Sequence, residues 1–361
     1  MRPPNHIWLR VTAALTTVAL VAAVAACSPG SAAADASARP GPAAELRLGY
    51  FANVTHAPAL VGVANGLFAA KLGGTRLSTQ VFNAGPAAIE SLNAGAIDAA
   101  FVGPSPAINA YVKSKGAAVR IVAGSTSGGA SLVVRPGISS AADLKGADLA
   151  SPGLGGTQDV ALRTWLSGQG LKSSITGGGD VTITPTENAQ TLQLFAAGKI
   201  DGAWLPEPWA SRLVLEAGGK VLVDETDLWD GGRFPTTELI VSTAYLERHP
   251  ETVEALVGGT VAAVDWLTAN PTTSAGVVTA QIAKLTGAKP LPPAVMARAV
   301  RNITFTVDPL AATLPALLAD AVAAGTTQKA SLAGIGDLSV LNKVLAGQGR
   351  PPVSAAGLGR E

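Results

Sequence analysis

From Leu46 onward the chain alternates short β-type runs with amphipathic helical segments, and it does so twice. The first pass predicts strands over Leu46–Tyr50, Leu77–Phe82, Ala99–Val102 and Arg120–Ala123. Between them it predicts helices over Ala57–Ala70, Pro86–Ala94 and Pro104–Ser114. Strictly alternating strand and helix implies parallel pairing, hence an α/β sandwich. The second pass follows at an offset of about 103 residues: residues 94–101 read AGAIDAAF and residues 197–204 read AGKIDGAW. Leu77–Phe82 falls on Asp180–Pro185, and Asn65-Gly66-Leu67 falls near Gln169-Gly170-Leu171. A unit this long is not a solenoid repeat; it fits two similar α/β lobes. Shared helix–Gly–strand grammar would give the same echo without common origin, and the two-lobe reading holds either way. Asp98 and Asp201 occupy equivalent places in the two passes, so they are predicted to form turns ahead of a strand rather than a catalytic carboxylate pair.

Ser131–Arg135 and Thr237–Ser242 are strand-like, and either could carry the chain between lobes. Beyond about Tyr245 the pattern is mostly helical. One helix is predicted over Pro250–Thr268, and another opens at Asp308-Pro309 with Asp as N-cap and Pro at the first helical position. A last helix spans Asp337–Ala346 and stops at Gly347. The closing residues, 351–361, read as a loose tail.

The N-terminus reads as an address. Arg2 and Arg10 precede an uncharged stretch, Val11–Ala26, that is too short for a comfortable membrane span. It ends in Val24-Ala25-Ala26-Cys27, which resembles the bacterial lipoprotein box. That resemblance implies a signal peptide over residues 1–26, cleavage before Cys27, lipid on its thiol, and a place on the outer face of a bacterial cell membrane. The other reading is an ordinary secretory signal with Cys27 as a bystander. Cys27 is the single cysteine in 361 residues, which excludes an internal disulfide and a cysteine metal cluster. Residues 27–45, rich in Ala, Ser, Pro and Gly, read as a tether. The balance of 26 basic against 25 acidic side chains provides no global field for nucleic acid. With aromatics at only 4%, the core must be aliphatic and alanine-rich.

Several short pieces, taken in order, resemble the substrate-binding proteins of bacterial ABC importers, and more closely the group that binds aliphatic sulfonates, taurine and nitrate. They are Leu46-Arg47-Leu48-Gly49-Tyr50, His56-Ala57-Pro58, Asn65-Gly66-Leu67-Phe68, Ala84-Gly85-Pro86, Leu92-x-x-Gly95-x-Ile97-Asp98, Asp143-Leu144-Lys145-Gly146, Glu207-Pro208-Trp209 and residues 337–349, DLSVLNKVLAGQG. The resemblance covers roughly residues 45–350. It implies a two-lobe, type II periplasmic-binding-protein-like fold with two crossover strands and a helical C-terminal part. The implied lobes are residues 46–129 with 240–350, and residues 130–239. It also implies a permease and its ATPase as partners, a monomer in solution, no cofactor and no metal.

In α/β sheets ligands sit beyond the carboxyl ends of the strands. This selects the turns at 53–57, 83–87, 103–105, 124–129, 152–158, 186–188 and 205–209. Free N–H groups at helix starts there suit an oxyanion. Gly85 and Gly103 let backbone approach a ligand, and Pro86 is either part of that contact or only a helix entrance. Asn83, Ser105, Ser127, Thr157 and Gln158 offer polar groups, although Thr157 could equally cap its own helix. His56 either donates to a ligand oxygen or holds its own turn. Trp209 is an apolar wall, a cation–π face or a core residue. Glu207 is awkward beside a purely anionic ligand; with Glu90, Asp159 and Glu187, also in early helical turns, it either favours a zwitterion such as an aminoalkane sulfonate or points away and pairs with Arg163 or Arg212.

Two function classes follow. The first is an exported solute-binding protein closing on an aliphatic sulfonate, with nitrate, bicarbonate and taurine as alternatives. The second is an exported enzyme on the same scaffold, against which the absence of G-x-S-x-G, H-E-x-x-H and P-loop patterns weighs. The first is the reading adopted.

Overall fold

A computed structural model describes residues 41–361. Cys27, the expected export signal and most of the expected tether lie outside the described residues. No helix among the described residues is long and apolar enough to cross a membrane.

The chain first builds β1 (Glu45–Phe51), α1 (Ala57–Ala64), α2 (Leu67–Leu72), β2 (Arg76–Phe82), α3 (Gly85–Asn93), β3 (Ala99–Val102), α4 (Pro104–Lys113) and β4 (Val119–Gly128). It then crosses to β5 (Ala130–Val134), β6 (Asp148–Ser151), α5 (Thr157–Gly168), β7 (Thr182–Pro185), α6 (Asn188–Ala196), β8 (Gly202–Pro206), α7 (Trp209–Ala217) and β9 (Lys220–Asp224). It returns through β10 (Pro235–Ser242), α8 (Thr243–Arg248), α9 (Pro250–Ala269), α10 (Pro271–Thr286), α11 (Pro293–Arg301), β11 (Ile303–Phe305), α12 (Leu314–Ala323), β12 (Gly336–Asp337), α13 (Ser339–Ala346) and β13 (Gly359–Arg360).

Two sheets result. The larger runs β13-β12-β4-β10-β3-β1-β2, with β11 also on β4, and the smaller runs β7-β6-β8-β5-β9. The echo in the sequence is an echo in topology. Each sheet has a parallel trio, β3-β1-β2 or β8-β6-β7, flanked by an antiparallel strand, β10 or β5. Each lobe is a sheet between helices, because strand side chains alternate across it. Ala99 and Phe101 of β3 enter one core and Ala100 and Val102 the other. In β8, Trp204 faces one core and Ala203 and Leu205 the opposite one.

The two repeated aspartates have matching jobs. Asp98 N–H donates to Arg47 O (2.8 Å), and its carboxylate accepts from Arg47 N–H (2.8 Å) and from the Arg47 guanidinium. Asp201 N–H donates to Asp148 O (2.7 Å), and its carboxylate accepts from Asp148 N–H (2.7 Å) and pairs with Arg135. Asp98 thus clamps β1 to β3, and Asp201 clamps β6 to β8.

The crossing from β4 to β5 occurs at Gly128-Gly129, both at positive φ (76° and 77°). That backbone is open to glycine and strained for a side chain, and a Cβ on Gly129 would also meet Ile303 at 2.7 Å. The return is complete by Pro235, five residues ahead of the boundary implied at 240.

Other expectations change in detail. The helix expected over Ala57–Ala70 breaks at Asn65-Gly66, with Gly66 left-handed. Asp308 does not cap a helix: its Oδ1 accepts from Leu310 N–H (2.8 Å), two residues on, and α12 starts only at Leu314. Asp337 lies in β12 rather than in the last helix. The end of the expected tether docks on the body, where Ala43 N–H donates to Thr252 Oγ1 (2.8 Å). The expected loose tail is held too: Gly334 N–H donates to Leu358 O (2.8 Å), β13 pairs with β12, and Ala355 is buried.

Candidate functional site

The carboxyl ends of both parallel trios face each other and enclose a chamber of about 30 Å³. The larger lobe contributes Phe51, Asn53, Thr55 and His56 after β1, Asn83, Ala84 and Gly85 after β2, Gly103 and Pro106 after β3, and Thr236 of β10. The smaller lobe contributes Pro152, Gly153, Gly156, Thr157 and Gln158 after β6, Asn188 after β7, and Pro206.

What distinguishes this chamber is how its helices begin. The N-cap residues of α3, α4 and α5 are Ala84, Gly103 and Gly156, all extended and without a side-chain cap. The α6 N-cap, Glu187, caps no N–H with its side chain either. Helix starts leave N–H groups unsatisfied and carry partial positive charge. Here two starts from each lobe meet at one cavity that no Asp, Glu, Lys or Arg lines; in the first turn of α4 Pro104 and Pro106 have no N–H and the Ser105 N–H is taken by Thr157, so the open starts are those of α3, α5 and α6.

His56 is buried, stacks on Phe51 with ring centroids 4.3 Å apart, and accepts from Phe51 N–H through Nδ1 (3.3 Å). Desolvation pushes its pKa down to about 3. The ring is therefore neutral at physiological pH, and with Nδ1 accepting, its proton sits on Nε2.

Of the residues singled out from sequence, the structure brings His56, Asn83, Gly85, Gly103, Thr157 and Gln158 together around the chamber. Thr157 caps no N–H of its own helix; its Oγ1 accepts from Ser105 N–H (3.4 Å) across the cleft, at the start of α4. Ser105, Pro86 and Ser127 do not line the chamber: Ser105 is buried, Pro86 lies in the first turn of α3, and Ser127 sits in β4.

Glu207 turns away. Its carboxylate accepts from Asn302 Nδ2 (2.7 Å), Ser211 N–H (3.1 Å) and Arg298 Nη1 (3.4 Å). Burial pushes its pKa up, while Asn302, Ser211 and Arg298 pull it down. Its backbone O accepts from Thr55 N–H (3.3 Å), so it ties the lobes together behind the chamber. Asp159 is held by Arg163 (3.0 Å) and Arg212 is held by Glu216 (2.9 Å), the arginines that sequence reasoning had named. Trp209 faces a second, outer cavity; its Nε1 donates to Asn53 Oδ1 (2.8 Å), and the Arg212 guanidinium lies 4.8 Å over its ring.

Asn53, Thr55 and Asn188 were overlooked as individuals, although each lies in a turn that the strand-end rule had selected. Thr236 reaches the chamber only because β10 returns beside β3 and β4, and no local pattern announces that.

The sequence profile of the NMT1-like family matches residues 39–283, more than half of the chain. The chain belongs to the NMT1-like family. This NMT1-like chain is 30% identical over 216 residues to the taurine-binding periplasmic protein of Escherichia coli K12, covering 59% of this chain and 64% of that one. It is 27% identical over 213 residues to a binding protein of Brucella abortus, covering 59% and 63%. The matches thus span under two thirds of these relatives. Among solved structures it resembles the alkanesulfonate-binding protein of Xanthomonas axonopodis bound to MOPS, at TM-score 0.66 and 26% identity over 81% of this chain and 96% of that one. The nitrate-binding protein of Synechocystis matches at TM-score 0.69 but 15% identity, over 86% and 90%, and shares the fold. The NMT1-like chain therefore has the two-lobe fold of periplasmic solute-binding proteins.

Proposed function

We propose that this protein is the extracytoplasmic solute-binding component of an ABC importer and that it closes on a small oxyanion, an aliphatic sulfonate, in the inter-lobe chamber. One observation carries this reading: the starts of α3, α5 and α6, without side-chain caps, converge from both lobes on a small cavity free of charged side chains. Backbone N–H groups and helix dipoles favour an anion there without a counter-ion. Neutral His56 offers Nε2–H as a further donor. Because the donors come from both lobes, a bound anion favours the closed form over the open one, as a population shift requires. The named relatives bind taurine and alkanesulfonate, which supports sulfonate within the class.

The partners that follow are an ABC permease with its ATPase. Cys27 is the proposed lipid anchor, holding the protein on the outer face of the membrane. The protein acts by binding, not by turnover.

The test is a thermal-shift and calorimetric panel of methanesulfonate, hexanesulfonate, taurine, nitrate and sulfate. A sulfonate at a hundred times its Kd should stabilise the protein by about 2.7 kcal/mol, and NMR should recover it unchanged. Consumption of the ligand, or stabilisation by none of the panel, would defeat the proposal. Separately, Cys27→Ala should end incorporation of labelled fatty acid; labelling that persists would remove Cys27 as the anchor.

A further inference from the structure

The larger lobe has a charged feature at the end of α4 away from the chamber. α4 begins at the chamber, where Gly103 and Pro106 are part of the wall, and its 10 residues end at Lys113, about 15 Å away. Between its last turn and the loop that follows α12 lies a pocket of about 810 Å³. Lys113, Lys115 and Lys329 line it, and no Asp or Glu does. All three lysines are exposed, and none is in an ion pair among the described residues. Lys113 suits the C-terminal dipole of α4, but Lys115 and Lys329 lie outside any helix. The neighbouring pocket is balanced, with Arg120 and Arg360 beside Glu247 and Asp337, so the excess positive charge is local.

The chain joins the body at this same end. Gly41 N–H donates to Arg248 O (3.3 Å), and His249 Nδ1 lies 2.9 Å from Gly41 O. Arg248 ends α8. At the start of that helix Thr243 N–H donates to Ala118 O (2.9 Å), and Thr243 Oγ1 accepts from Arg120 Nη1 (3.2 Å), which also donates to Gly116 O (2.7 Å). One 6-residue helix, about 9 Å long, therefore separates the loop bearing Lys115 from the point of attachment. From Cys27 to Gly41 the covalent chain reaches at most about 50 Å, so a lipid at Cys27 brings this end of the lobe to a bilayer.

We propose that Lys113, Lys115 and Lys329 form a docking face for the anionic headgroups of a lipid bilayer, and that this face holds the larger lobe on the membrane with the chamber turned away from it. The orientation rests on the lipid anchor proposed at Cys27; the lysine face does not. Each lysine beside an anionic surface strengthens binding about fivefold. Screening over about 8–10 Å keeps such a hold weak and salt-sensitive. The body is thus free to leave the lipid and present its chamber to a permease.

Vesicle flotation of the full chain carrying Cys27→Ala, which removes the anchor, tests the face alone. Phosphatidylcholine vesicles containing one third phosphatidylglycerol should bind it more tightly than pure phosphatidylcholine. Replacing all three lysines by glutamine should weaken that binding about tenfold to a hundredfold at about 0.1 M salt, while replacing them by arginine should preserve it. The variants share one N-terminus, so their difference reports the lysines. Unchanged binding by the glutamine variant, or indifference to phosphatidylglycerol, overturns the face. Inorganic phosphate that raises the melting temperature of the lysine chain but not of the glutamine variant, without any gain from phosphatidylglycerol, assigns the pocket to a soluble anion and overturns it too. On the acylated parent, acetylation read by mass spectrometry tests the orientation: phosphatidylglycerol vesicles should protect Lys113, Lys115 and Lys329 more than Lys172 and Lys199, which are exposed on the smaller lobe. Uniform protection overturns the orientation. A chain that is not acylated at Cys27 loses the anchor and the orientation with it, and the flotation result still decides the face.

Discussion

The two lobes carry the same strand order and the same aspartate clamp, yet they are not equivalent. The larger lobe extends its sheet with β11, β12 and β13, and is covered by the C-terminal helices on one face and by α12 on the other. The smaller lobe has only its five strands and their helices, hung on the β4–β5 crossing and the return to β10. Each nevertheless supplies helix starts without a side-chain cap, α3 from the larger lobe and α5 and α6 from the smaller. The comparison separates what the repeat is for from what was added to it. The repeat brings helix ends from both lobes to one cleft, and the additions make one lobe a heavier platform.

The largest effect should come from blocking the meeting of the lobes while leaving each intact. A Cβ on Gly103 would lie 2.3 Å from Thr157 Oγ1 across the cleft, while Gly103 itself is extended (φ −72°, ψ 160°) and tolerates a side chain within its own lobe. Gly103→Val should therefore reduce sulfonate affinity about a hundredfold or more, with the unliganded melting temperature shifted by no more than about 2 °C. Calorimetry and differential scanning calorimetry together check this. Unchanged affinity would mean that ligand is held by one lobe alone.

Next in size is the difference between the clamps. Side-chain exposure is 38% for Arg47 and 7% for Asp98, against 39% for Arg135 and 21% for Asp201. The more deeply placed carboxylate leaves more behind unsatisfied when removed. Asp98→Ala should cost about 3 kcal/mol and Asp201→Ala about half that, by urea denaturation. Equal losses would make the clamps equivalent despite their different burial.

How far the sequence carried the description follows from where each signal lives. β3 was legible because Ala99–Val102 is framed by a Gly-x-Ile-Asp turn and a Gly-Pro helix entrance, all local. The chamber was legible as a set of turns because strand ends are, and six of the named residues, two of them glycines, converge there. Glu207 misled because its partners, Arg298 and Asn302, come some ninety residues later, where nothing in Glu-Pro-Trp points. Asp308-Pro309 misled because Asp satisfies a turn N–H as readily as a helix start. The closing residues carry no periodicity, and only their pairing with β12 reveals their place.

The effect that is smallest per step, and the one that resolves the lobes by charge, is in pH. Each lobe buries a titratable group that it holds neutral, and the two have opposite signs. In the larger lobe His56 is pushed down to about 3 by desolvation. In the smaller, Glu225 is pushed up to about 8 chiefly by desolvation, then by the charges of Asp224 and Asp320, while hydrogen bonds from Trp204 and Trp229 oppose the rise. Between pH 6.5 and about 3 the unfolded chain takes up a proton that folded His56 refuses, so stability falls as pH falls. Between pH 4.5 and about 8 folded Glu225 keeps a proton that the unfolded chain releases, so stability falls as pH rises. Where the ranges overlap the two slopes oppose each other, and above pH 6.5 the Glu225 slope stands without the His56 one. Glu238, buried in β10 without a hydrogen-bond partner, is also pushed up by desolvation and steepens the alkaline limb from the larger lobe. Glu225→Gln isolates the smaller lobe's share, because the amide oxygen still accepts from Trp204 Nε1 (2.7 Å in the parent). Relative to the parent, the variant should gain about 1 kcal/mol per pH unit between pH 5 and 8, by urea denaturation at pH 5, 6.5 and 8. A difference that stays flat across those three values would mean that Glu225 is ionised in the folded smaller lobe, and that only the larger lobe keeps its buried groups uncharged.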